Sequence, residues 1–231
     1  MGSTLVSRTY HELRGRIDAA AQLAGHEVTL LAVSKTNPAS AIGELAALGQ
    51  LAFGENYVQE ALAKQREIAA LNWHGLALQW HLIGPLQSNK AREVAEHFNW
   101  LQSLDREKLI EPLNRLRPEN MPPLNVLIQV NIDGEASKSG CTPDAVSALA
   151  HALASAPRLR LRGLMSIPEP TPDAGTRRHA FQRMYKLYDA LKSTFPQLDT
   201  LSMGMSEDFE LAIAEGATMV RVGSAIFGPR G

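Results

Sequence analysis

Lys35 closes an apolar run, Thr29-Leu30-Leu31-Ala32-Val33-Ser34-Lys35, and Thr36-Asn37-Pro38 follows it. An apolar run ended by Asn-Pro is predicted to be a buried strand entering a turn. Leu31, Val33 and Lys35 then share one face. Two courses are open to a lysine there. It snorkels to water along its own stem, or it is desolvated and partly neutral. A neutral amine is a nucleophile that forms a Schiff base with a carbonyl carbon.

Other residues able to do chemistry sit at the ends of later apolar runs. Asn56 and Tyr57 follow the run at 51–55; Asn56 offers amide donors and an acceptor, or it caps the next helix. His81 shares a face with Ile83 and is either an inward-pointing base or a satisfied core histidine. Gln87, Asn89, Lys90 and Lys138 lie on polar loops where surface placement is the default, with Lys138 a candidate second amine. Met165 and Ser166 either meet a flat ligand or pack. In Ser202-Met203-Gly204-Met205-Ser206, Gly204 permits close backbone approach, Met203 is a candidate ligand contact, and Ser206 is expected to open a helix whose free N–H groups suit an anion. Glu207 and Asp208 are then expected to point away from that anion. Arg221 lies inside the apolar run at 219–222. Its permanent charge demands an acceptor, from an ion pair or from a ligand carboxylate or ring nitrogen. Gly223-Ser224 is a small, donor-rich turn suited to phosphate oxygens.

Eight strand-like runs, at 29–35, 51–55, 79–84, 100–104, 125–132, 161–167, 200–203 and 219–222, alternate with amphipathic segments at 38–48, 58–71, 89–95, 106–116, 143–155, 177–194 and 207–214. Parallel strands need crossover connections, so eight such repeats predict a single (β/α)8 TIM barrel spanning residues 1–231. Few residues follow the eighth strand. No helix is expected after it, and an extra N-terminal helix at 5–24 is expected to cover that seam. An open doubly wound sheet is the other candidate, but no GxGxxG follows the first strand.

In a parallel barrel, working residues gather at the carboxyl ends of the strands and phosphates dock after strands seven and eight. One ligand matches the set. Pyridoxal 5′-phosphate (PLP) brings an aldehyde for Lys35, a phosphate for Ser206, Gly223 and Ser224, and a ring acceptor for Arg221. The net charge of −1 supplies no field to draw nucleic acid or an anionic membrane surface. One cysteine, Cys141, precludes an internal disulfide, and no signal pattern or spanning apolar stretch is present, so a cytoplasmic protein is expected.

The segments LLAVSKTNPASAI, FGENYVQEA, WHLIGPLQSNK, GLMSI, LSMGMSEDFELAI and MVRVGSAIFG resemble the pyridoxal phosphate homeostasis proteins. The resemblance runs nearly the whole chain. It implies the barrel of the alanine racemase N-terminal domain, PLP held as a Schiff base on Lys35, phosphate contacts from Ser206, Gly223 and Ser224, and Arg221 against the pyridine nitrogen. For role it implies carrying or buffering PLP, without catalytic turnover, in intracellular vitamin B6 and amino acid homeostasis. Apoenzymes that require PLP are candidate recipients, and a monomer is expected. Because the sequence ends just past the last strand, no second domain is expected to close the site or bring an opposing base. The competing readings are a stand-alone amino acid racemase, with Tyr57 or His81 as the base facing Lys35, a sugar-phosphate aldolase, and a pure docking protein.

Overall fold

Eight parallel strands hydrogen-bond in chain order and close on themselves, β1 beside β8. The computed structural model describes residues 5–70, 77–135 and 139–228. The strands are β1 (Thr29–Val33), β2 (Ala52–Glu55), β3 (Gln79–Leu82), β4 (Trp100–Leu104), β5 (Leu124–Val130), β6 (Leu159–Ser166), β7 (Thr200–Ser202) and β8 (Met219–Val222). The helices are α1 (Leu5–Ala24), α2 (Ala39–Ala47), α3 (Val58–Ala70), α4 (Ala91–His97), α5 (Ile110–Leu116), α6 (Val146–Ala154), α7 (Ala174–Thr194), α8 (Phe209–Ala214) and α9 (Ser224–Phe227). The fold is the expected (β/α)8 barrel with an extra N-terminal helix.

Local hydrogen bonds explain where the elements depart from their sequence-based bounds. Lys35 lies beyond β1, in a turn, because Asn37 N–H bonds back to the Ser34 carbonyl and Thr36 adopts φ 64°. α7 begins at Ala174, three residues earlier than expected, because the Asp173 carboxylate caps it through Thr176 N–H at 2.6 Å. Ser206 does not open α8. Residues 206–208 form a turn in which the Asp208 carboxylate accepts Met205 N–H at 2.7 Å, and the helix starts at Phe209. A helix does follow β8, against expectation. It is one turn long, α9, with the Gly223 carbonyl accepting from Ile226 and Phe227 N–H.

α1 packs across α2, α8 and α9, so it covers the seam between the first and last repeats. It buries Tyr10, Leu13 and Ile17, Thr9 Oγ1 donates to the Ile226 carbonyl at 2.8 Å, and Arg16 pairs with Glu210 at 2.8 Å. The main apolar core lies between strands and helices, with Phe53, Leu82, Leu101 and Leu201 facing outward into it. The barrel interior is more mixed. Leu31, Ala52, Met219 and Ile83 form one apolar group and Trp100, Leu127 and Met165 another. Between them stand the buried polar side chains of His81, Gln102, Ser202 and Arg221. β6 carries a bulge: Val126 pairs with Leu161 and Leu127 with Gly163, which leaves Arg162 as the extra residue. Its guanidinium lies 4.5 Å over the Trp100 ring and bonds Asn125 Oδ1 at 2.8 Å and Asp199 Oδ2 at 2.6 Å.

Candidate functional site

The barrel order β7-β8-β1-β2 places four neighbouring strand ends side by side, and these carry most of the predicted site. Val33 pairs with Gly54, and Lys35 and Asn56 each lie two residues further along, at adjacent points of the rim. Gly223 stands against the end of β1; a Cβ there would come 3.0 Å from the Val33 carbonyl oxygen, a tight contact that glycine avoids. Beside it, Ser224 Oγ lies 3.0 Å from Ser206 Oγ, and Ala225 N–H points to Ser206 Oγ at 3.4 Å. The two hydroxyls and the first amides of α9 make a small donor-rich cup at the exposed rim. Gly204, at φ 92°, lets the preceding loop fold onto α8, because a Cβ there would meet that of Ala212 at 2.5 Å.

Lys35 is half-buried, and its turn is held from behind. Ser34 faces outward and donates to Glu55 Oε1 at 2.6 Å. Lys64, on α3, donates to the Ser34 carbonyl at 2.8 Å, to Glu55 at 2.8 Å and to Glu60 at 2.6 Å. Glu60 also accepts Thr36 N–H at 2.5 Å. A left-handed threonine costs about 1–2 kcal/mol, and this network supplies the contacts that hold it. Burial raises the Glu55 carboxyl above the usual range, opposed by the hydrogen bonds from Lys64 and Ser34.

Arg221 is buried, and its hydrogen-bond partners are neutral. Nη1 donates to Ser202 Oγ at 2.8 Å and Nη2 to the Ser166 carbonyl at 2.7 Å. Among the described residues no carboxylate pairs with it, so the ion pair that the sequence left open is not formed within them. Burial pulls its pKa down to about 10, with Asp208 pushing the other way. At neutral pH it remains a desolvated cation. Asn56 Oδ1 at the rim is buried with no protein partner; Ser166 Oγ has none either, but Ser166 follows inward-facing Met165 and its side chain faces the outer shell. Such groups are costly to leave unmade. Uncompensated charge, an unused polar atom and a hydroxyl cup are the features a polar, anionic, aromatic ligand would satisfy.

The remaining candidates separate. Met203 is fully buried in the shell between strands and helices, because Ser202 faces inward and the next residue must face out. The structure therefore removes it from the mouth. His81 is buried beneath the mouth, stacked on Trp100 with ring centroids 5.0 Å apart and with Nδ1 3.0 Å from Gln102 Nε2. Tyr57 is 63% exposed. Gln87 and Asn89 are exposed, Lys90 pairs with Glu93 at 3.2 Å, and Lys138 lies outside the described residues. Gln102 and Ser202 were not singled out from sequence. The available signal was an uncharged polar residue at inward parity in an apolar strand.

Residues 9–231 match the family model for the alanine racemase N-terminal domain, which defines the class of barrel. A pyridoxal phosphate homeostasis protein of Pseudomonas aeruginosa is 53% identical over 97% of this chain and 96% of its own length, and one of Escherichia coli K12 is 51% identical over 97% of both. PipY of Synechococcus elongatus, solved with PLP bound, is 38% identical, covers 97% of this chain and 100% of its own, and superposes with a TM-score of 0.83. A D-threonine aldolase of Filomicrobium marinum, at 18% identity and a TM-score of 0.78 over 96% of this chain and 60% of its own, shares the fold. The chain belongs to the pyridoxal phosphate homeostasis protein family.

The buried histidine gives the site's foundation a pH signature. Burial, with Arg162 adding to it, lowers His81 from the ordinary 6.5 to about 3. The unfolded chain takes up this proton near the ordinary value and the folded chain only near pH 3, so stability is lost as pH falls through that window. The slope from this residue is about 1.4 kcal/mol per pH unit. In denaturant titrations we expect His81→Asn to lose less stability than the parent between pH 6.5 and pH 4. Identical slopes would mean that the folded protein already carries the proton.

Proposed function

We propose that this chain acts as one barrel domain that binds PLP at the mouth and carries or buffers it, serving vitamin B6 and amino acid homeostasis as a cytoplasmic monomer. Apoenzymes that require PLP are its candidate recipients. The observation that carries this reading is Arg221, a buried cation whose hydrogen-bond partners are neutral, on the strand beside the one that leads to Lys35. The name shared by the bacterial relatives and the PLP in PipY support it independently.

When bound, PLP supplies an aldehyde that a primary amine captures and a ring that withdraws electrons once its nitrogen is protonated. Lys35 offers the amine. Ser206, Ser224 and the Gly223 turn offer donors to the phosphate, and Asn56 offers an unused amide oxygen. The Arg221 guanidinium carries only N–H donors and keeps its proton at neutral pH, so against a ring nitrogen it would donate a hydrogen bond and leave that nitrogen unprotonated. A carboxylate in the same place would have done the opposite. No described residue stands facing Lys35 as a buried, titratable base: His81 lies beneath the mouth and Tyr57 in solvent. The set favours holding the cofactor over turning substrates over.

Borohydride reduction followed by mass mapping tests the anchor. We expect PLP on Lys35 in the parent and none in Lys35→Ala, whose melting temperature stays close to the parent's because the side chain lies outside the packed layers. Label on another lysine in the parent would displace Lys35 from the role.

Ser224→Asp tests the cup. A carboxylate against the phosphate should weaken PLP retention about tenfold or more. Pyridoxal, without the phosphate, should bind the parent poorly and ignore the substitution. Equal retention of the two ligands by the parent would remove the cup.

Exchange of the alanine α-proton in deuterated buffer tests the absence of turnover. Loaded protein should exchange no faster than the same concentration of free PLP. Exchange well above that control would put a racemase in place of the carrier.

A further inference from the structure

A polar file runs through the barrel interior beneath the mouth, and it has one direction. Arg221 Nη1 donates to Ser202 Oγ at 2.8 Å, the Ser202 hydroxyl donates to Gln102 Oε1 at 2.8 Å, and Gln102 Nε2 lies 3.0 Å from His81 Nδ1 and 3.1 Å from Met219 Sδ. All four polar side chains are buried, on β8, β7, β4 and β3.

The chemistry of the ends fixes every link. A guanidinium only donates, so Ser202 accepts from it and passes its own proton on to Gln102 Oε1. A thioether has no proton to give, so the amide nitrogen of Gln102 faces Met219. His81 Nδ1 then accepts, and its proton sits on Nε2, which is buried with no partner. Turning the amide round would set its N–H groups against Ser202, strand the hydroxyl proton and oppose oxygen to sulfur. Branched apolar side chains usually fill these layers. Polar side chains here carry a desolvation cost that apolar packing would avoid.

Resting on PLP binding at the mouth, we infer that Ser202 and Gln102 are positioning residues for Arg221. They commit one guanidinium edge to the barrel interior and the Ser166 carbonyl commits a second N–H. The remaining N–H groups are left as donors to the ligand ring, with no carboxylate in the file to dilute the charge.

The test uses Gln102→Leu, Gln102→Glu and Ser202→Ala, with Met165→Leu as an interior control outside the file. Nitrogen-15 NMR is recorded before PLP is added, then PLP affinity and the absorption maximum of the bound cofactor are measured. In the parent, His81 should be the Nε2–H tautomer and Arg221 should give slowly exchanging side-chain N–H signals. Ser202→Ala should lose the Nη1 signal, while the Nη2 signal held by the Ser166 carbonyl persists. Gln102→Leu and Ser202→Ala should bind PLP about ten- to a hundredfold more weakly, the range for a lost hydrogen bond to a charged group, and should shift the absorption maximum. Met165→Leu should do neither. Gln102→Glu, closest in shape, serves where Gln102→Leu does not fold, and it should place a proton on His81 Nδ1. Parent-like affinity and spectrum in the folded file variants would overturn the inference, as would a parent His81 protonated on Nδ1. Failure of the parent to bind PLP would instead sink the function proposed above. The inference would then stand or fall on the Arg221 Nη1 signal, which Ser202→Ala must abolish.

Discussion

The pairing of β1 with β8 is the contact on which everything else depends. Thr29 to Ala32 register against Met219 to Val222, and this one ladder turns an array of repeats into a closed surface. It sets the Lys35 turn beside the Gly223 turn, although nearly the whole sequence separates them. It also places Leu31 opposite Arg221, so the strand that carries the guanidinium lies beside the strand that leads to Lys35. Glycine at 223 relieves the same constraint, since a side chain there would crowd the β1 carbonyl.

Closure in register brings a cation into the interior, and the interior is built around it. A buried charge is tolerated when hydrogen bonds surround it. Here those come from a hydroxyl and a carbonyl, and a carboxylate would have cancelled the feature a ligand can use. The contrast with Lys64 is instructive. That buried cation is paired with Glu55 and Glu60, and it works as a fastener behind the Lys35 turn. Two buried cations of one barrel thus have opposite settings: one neutralised and structural, the other left open toward the mouth.

The fold was legible in the sequence because each strand is a short apolar run between turn residues, and all eight are present. Chain-end details were harder to see. Lys35 left its strand because Thr36 turns left-handed, which a β-branched residue does not advertise. α9 was missed because a single turn has no periodicity to detect. Lys35, Asn56, Ser206, Arg221, Gly223 and Ser224 were legible as chemistry at strand ends. Met203 was misplaced by proximity in sequence, since alternation turns it outward after Ser202. Gln102 and Ser202 stayed hidden because a lone uncharged polar residue in a strand acquires meaning only when the barrel sets it opposite others.

The position of α1 bears on how the molecule is made. Its Thr9 bonds the carbonyl of Ile226, 217 residues away, and its apolar face rests on α8 and α9 as well as α2. Contacts of such long range form late and slow folding. On the ribosome α1 emerges long before α8 and α9, and β1 cannot pair with β8 until all eight strands have been made. The rim where β8 meets β1 therefore does not exist on a nascent chain. Any ligand that needs this rim is captured only by a finished barrel, so occupancy of the mouth doubles as a certificate of completed assembly.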